Sequence, residues 1–136
     1  MSSTITESSR DTTKNLTNVV FSTNKEIRIE AGAFDNNEDF NTYQNDPIII
    51  PSNIKYIGSH AFDICDSHGD TQYIKFTATS PTFSLIDGNN NIIYAFGSSG
   101  YAMSAIRLIV PAGCKQNYVG HDAGWAAYAN NIIEEE

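Results

Sequence analysis

One pattern recurs along this chain and limits what it can fold into. Ile29-Glu30-Ala31-Gly32-Ala33-Phe34 aligns with Ile57-Gly58-Ser59-His60-Ala61-Phe62, and a third Ala-Phe pair follows at Ala95-Phe96. Each pair leads through a polar stretch into a short apolar run. The runs are Ile48-Ile49-Ile50-Pro51, Tyr73-Ile74-Lys75-Phe76 and Ile106-Arg107-Leu108-Ile109-Val110-Pro111. Two of the three end in proline, which has no amide hydrogen to donate and so stops a strand ladder. A single unit of this size cannot bury its own apolar face, whereas stacked units share one core. The pattern therefore predicts a β-rich solenoid. Phe34, Phe62 and Phe96 should stack inside it as wedges, with the preceding alanines permitting close approach.

The units are unequal. Phe34 and Phe62 lie 28 residues apart and Phe62 and Phe96 lie 34 apart, which places insertions in the loops at 35–46, 63–70 and 87–91. Insertions on one side of a repeat array commonly mark its binding face. After Pro111 the pattern stops. Residues 115–119 and 124–130 read as two short helical turns, and Trp125, Tyr128, Ile132 and Ile133 supply a last apolar set before Glu134-Glu135-Glu136. A stacked array needs a terminal cap to shield its last layer, and Trp125 reads as the anchor of such a cap.

The first 24 residues differ from everything after them. They hold eleven Ser or Thr, and Glu7 and Asp11 cancel Arg10 and Lys14. So little apolar surface cannot offset the entropy of ordering, so alone this segment should be a flexible arm. A disordered tail and an arm that orders on a partner are both open readings. Val19, Val20 and Phe21 are the candidate attachment residues, either folding back over the exposed end near Ile27 or burying against another chain.

The whole chain of 136 residues carries 16 acidic and 8 basic side chains, a formal charge of −8. Binding nucleic acid through phosphates needs clustered Lys and Arg, which eight scattered residues do not supply. No stretch approaches the ~20 apolar residues of a membrane span. Residues 1–23 lack the basic and apolar regions of a signal peptide, so the chain reads as made in the cytoplasm. Cys65 and Cys114 read as two reduced thiols acting as small core residues.

Residues 50–65, Ile-Pro-Ser-Asn-Ile-Lys-Tyr-Ile-Gly-Ser-His-Ala-Phe-Asp-Ile-Cys, closely resemble the repeat of BspA-type leucine-rich-repeat proteins. Val110-Pro111-Ala112-Gly113, Tyr118, Gly124-Trp125 and Ile132-Ile133 resemble, in order, that family's Bacteroidetes-type carboxy-terminal cap. Thr79-Ser80-Pro81-Thr82 is similar to the segment that precedes the cap. The resemblance covers about residues 27–136. It implies a short leucine-rich-repeat array at 27–136 with a small helical cap at 112–136, and an attachment arm at 1–26. Members tend to be surface adhesins, and the family has no catalytic motif. The missing signal and the short array shift the expectation to a phage virion component: a head fibre, capsid decoration or tail accessory protein. The alternative is a fragment of a bacterial cell-surface adhesin that binds host protein or glycan.

Chemistry-bearing residues do not form a known catalytic pattern. Residues 63–70 pack Asp63, Asp66 and Asp70 with Cys65 and His68, but the spacing matches neither an EF-hand nor a zinc site. Gly97-Ser98-Ser99-Gly100 matches neither a phosphate-binding loop nor a nucleophile elbow. No enzyme activity, cofactor or metal is expected. Tyrosines offer large amphipathic contact areas, and Tyr43, Asp66, His68, Asp70 and Tyr101 are the surface-recognition candidates. The expected partners are proteins of a larger assembly reached through the arm, a host surface protein or glycan, or a second copy of the chain. Nucleic acid and membrane insertion are not expected.

Overall fold

Buried and more exposed positions alternate along several of the strands, because successive residues of a strand face opposite sides of a sheet. In a computed structural model that describes residues 2–5, 20–34, 42–63, 71–97 and 104–135, the strands are short and all pair in parallel. They are β1 (Ser2–Ile5), β2 (Glu26–Ile29), β3 (Ile48–Ile50), β4 (Ile54–Ile57), β5 (Gln72–Phe76), β6 (Ile106–Val110) and β7 (Ile132–Glu134). Two short helices, α1 (Lys115–Val119) and α2 (Ala123–Ala127), and a 3-10 turn at Ala129–Asn131 separate β6 from β7. The strands form two sheets, ordered β1-β2-β4 and β3-β5-β6-β7.

Register explains where the core sits. Ile48, Ile74, Leu108 and Ile132 are direct partners across the second sheet, and all four are fully buried. Ile27 pairs with Ile54 and Ile29 with Ile57 across the first, again with buried side chains. At the Ala-Phe turns the backbone passes hydrogen bonds from one turn to the next. The Phe34 amide donates to the Ala61 carbonyl at 2.9 Å and the Phe62 amide to the Ala95 carbonyl at 2.8 Å. The rings then stack, Phe34 on Phe62 at 5.2 Å and Phe62 on Phe96 at 6.3 Å between centroids. Gly58 is required at this corner, because a Cβ there would lie 2.5 Å from the Ala31 nitrogen.

The leucine-rich-repeat solenoid expected from the pattern is nevertheless not the fold. Over the described residues the structure is a small mixed α/β domain with two non-repetitive parallel sheets and, between β6 and β7, two short helices. A tandem array needs every unit to repeat the same strands, and here the sheets diverge. The first sheet ends at β4. Beyond it the chain turns through an antiparallel Ile86–Ile92 bridge to reach Ala95-Phe96. The second sheet continues to β7, which follows two helices and no Ala-Phe turn.

The BspA-type cap is corrected for a related reason. Tyr118, Trp125 and Tyr128 share one continuous core with Phe34, Phe62 and Phe96, so the carboxy-terminal segment does not cover a finished layer. Nor is the amino-terminal arm flexible throughout, since Ser2–Ile5 is β1, paired in register with Glu26–Ile29. Backbone pairing supplies the order that the apolar-poor sequence of the arm did not suggest.

Candidate functional site

Two grooves lie along the outward face and the amino-terminal ends of the four-stranded sheet. One row across that face is Ile49, Lys75, Ile109 and Ile133, taken strand by strand from β3 to β7. The neighbouring row includes Tyr73 and its partner Arg107. Asn131 precedes Ile132 as Arg107 precedes Leu108, which brings it alongside at the start of β7.

Ile109 points away from the main core yet is only 5 % exposed. A charge pair accounts for this. Lys75 Nζ lies 2.7 Å from Glu135 Oε2. Lys75 is on β5 and Glu135 follows β7, so the pair must reach over β6, a span of roughly 10 Å at the usual strand spacing. It passes above Ile109. A groove of about 380 Å³ lies here, lined by Gln44, Lys75, Ile109, Glu134 and Glu135. Glu134 is also engaged, accepting from the Lys115 amide at the start of α1 at 2.9 Å.

A second groove of about 380 Å³ opens at the amino-terminal ends of β6 and β7, lined by Ser104, Arg107, Ala127, Asn130 and Asn131. Arg107 Nη1 donates to the carbonyls of Ser104 (3.0 Å) and Ile106 (2.8 Å), which fixes one arm of the guanidinium. Asn131 Nδ2 donates to the same Ile106 carbonyl at 3.0 Å. Among the described residues no carboxylate pairs with Arg107. Arg28 differs: Glu30 sits 3.1 Å from its Nε, and its guanidinium lies over Tyr56 at 4.1 Å.

The helical segment that walls the second groove is held by polar side chains. Asp122 caps α2 by accepting from the Trp125 amide at 2.9 Å through Oδ1. Its Oδ2 accepts from the Ser84 hydroxyl at 2.8 Å and the Leu85 amide at 3.1 Å. Burial pushes this carboxyl up, but the three hydrogen bonds and nearby His121 outweigh burial and hold it below 3.8. Tyr128 Oη donates to the Gly97 carbonyl at 2.7 Å and accepts from the Phe96 amide at 3.2 Å. Burial raises the Tyr118 and Tyr128 phenols far above the ordinary value, so both remain neutral donors.

The residues singled out from sequence are scattered relative to this face. Tyr43 is 52 % exposed, in a bridge with Asp46 just before β3. Val20 is 92 % exposed, while Phe21 is buried with its ring edge-on to Phe34 and Phe62, both at 6.2 Å. Val19, Asp66, His68, Asp70 and Tyr101 lie outside the described residues, as does Cys65. Cys114 is a buried free thiol. Lys75, Arg107, Ile109 and Glu135 were not selected. The period of two in a strand over Ile106-Arg107-Leu108-Ile109-Val110 was the available signal, since it puts Arg107 and Ile109 on one face. The partner across β6 was not legible.

Among the described residues no three His, Cys, Asp or Glu side chains group as a metal site, and no helix is long and apolar enough to cross a membrane. In comparisons with known proteins, no family model, no curated protein and no solved structure matches this chain. The BspA resemblance is therefore withdrawn, and with it the roles it implied: phage virion, head fibre, capsid decoration, tail accessory and surface adhesin.

Proposed function

We propose that this chain is a non-enzymatic polypeptide-binding domain that uses the outward face of its four-stranded sheet. The observation that carries the reading is the row Ile49, Lys75, Ile109 and Ile133. Aliphatic side chains alternate there with a charge pair on an outer face, where they add nothing to the main core. A face of aliphatic floor and polar rim is the composition of protein interfaces. Exposed Ile49 extends it beyond the groove. The Lys75–Glu135 pair is partly exposed, at 31 % and 37 %, so it contributes at most about 1 kcal/mol and can yield to an incoming chain at little cost.

Selection of peptides from a random display library against the immobilised full chain tests this. Recovered peptides should lose binding to Ile49→Asp and Ile133→Asp and keep it for Arg28→Gln, which lies on the other sheet. A library that yields no competable binder, or binders indifferent to both aspartates, would overturn the reading.

A further inference from the structure

The second groove deepens that reading and rests on it. We propose that Arg107 is the anchor for the free carboxylate at the end of a bound polypeptide, with the adjoining aliphatic side chain directed toward Ile109. Four observations converge on it. Arg107 is a fixed donor: two backbone carbonyls hold Nη1, leaving Nε and Nη2 without a hydrogen bond among the described residues. A guanidinium offers a planar fork that matches a carboxylate, which a lysine does not. In a chain of formal charge −8, a cation that no described carboxylate neutralises is the electrostatic odd one out on this face.

Spacing supplies the next point. Arg107 and Ile109 are alternate residues of β6 and share the outward face, about 6.6 Å apart along the strand. That is the reach from a terminal carboxylate to its own or the preceding side chain. The walls supply the last. Ala127, Asn130 and Asn131 of the helical segment rise at the amino-terminal ends of β6 and β7. A chain lying along β6 reaches these residues beside Arg107, and its end is placed there. Asn130, which is exposed, adds an amide at the rim.

Three small probes decide the matter on the intact protein, followed by amide and Arg side-chain shifts in nuclear magnetic resonance titrations. N-acetyl-leucine carries a terminal carboxylate beside an aliphatic side chain. Its amide lacks the charge, and N-acetyl-glutamyl-leucine amide offers a side-chain carboxylate instead. N-acetyl-leucine should shift the Arg107 Nε–H and the Ile109 and Asn131 amides, and bind at least about tenfold more tightly than its amide, as befits one charge-assisted pair. Arg107→Gln should abolish that preference with the remaining spectrum unchanged, and Arg107→Lys should restore part of it. Equal response to acid and amide overturns the Arg107 anchor while leaving the sheet-face reading standing. Equal response to the glutamyl probe overturns the chain-end assignment, and no response to any probe overturns the anchor outright.

Discussion

Phe62 and Trp125 are both wholly buried rings, yet the molecule holds them by different means. Phe62 lies between Phe34 and Phe96, and its turn is fixed by backbone hydrogen bonds of one recurring kind. Trp125 packs edge-on against Phe76 at 5.3 Å and Tyr118 at 5.1 Å. Its indole N–H donates to the Phe83 carbonyl at 3.2 Å, and its own amide is capped by Asp122. The two regions meet at Phe96. The amides of Phe34 and Phe62 donate to the backbone of the next turn, but that of Phe96 donates to the Tyr128 hydroxyl. A side chain there stands in for a further turn. The Ala-Phe region depends on repeated backbone geometry and ring contact, which tolerates changes of shape. The helical region depends on specific polar atoms, and each of those leaves a buried group unpaired when lost.

Substitutions can break this contrast. Trp125→Ala should be the most damaging, at about 3–5 kcal/mol, because it leaves a cavity among four aromatic rings and frees the Phe83 carbonyl. Urea denaturation should show it as the lowest midpoint of the series. Gly124→Ala should come next, at about 3 kcal/mol. Its Cβ would fall 1.9 Å from the Leu85 carbonyl oxygen, against 2.5 Å from the Ala31 nitrogen for Gly58→Ala. Both clashes are with backbone. If the two variants melt together, or Gly58→Ala melts first, the helical region is not the stricter of the two.

Asp122→Ala removes a helix cap and two further hydrogen bonds and should cost about 2 kcal/mol. The carboxyl also predicts a pH dependence. Its folded pKa lies below the unfolded 3.8, so its contribution is complete above that value and is lost as pH falls toward the folded one. Denaturation midpoints taken from neutral pH down to about pH 3 should therefore fall less steeply for Asp122→Ala than for the parent. Parallel slopes would remove Asp122 from the acid sensitivity. The smallest effect should be Phe34→Leu, at about 1 kcal/mol, since an apolar side chain of similar bulk still fills the outer position of the stack. A loss as large as that of Trp125→Ala would erase the distinction between the regions.

Much of the local structure was legible. The Ala-Phe spacing pointed to three stacked rings, and the structure stacks them. Residues 115–119 and 124–130 read as helical turns, and α1, α2 and the 3-10 turn lie there. The step from local repetition to a repeat fold was the error. Similar turns stack for local reasons, namely a small residue before an aromatic one and free backbone donors. Whether each turn also contributes a strand to both sheets depends on the intervening loop, and 83–93 makes a bridge instead. The candidate site was less legible than the fold. Tyr43 was noticed for its chemistry, whereas Ile109 looked like one more core residue in an apolar run.

Alternation within Ile106-Arg107-Leu108-Ile109-Val110 determines by itself that Arg107 and Ile109 share a face and that Leu108 opposes them, because a strand has a period of two. The Ala-Phe pairs likewise determine the aromatic stack. Which face is buried, and what covers it, was decided only in three dimensions. Lys75 and Glu135 are 60 positions apart in the chain, and they meet over Ile109 because β5, β6 and β7 lie side by side. Tyr128 replaces a backbone acceptor for Phe96 for the same reason. Such partnerships depend on strand order, and strand order is set by how all the loops close at once.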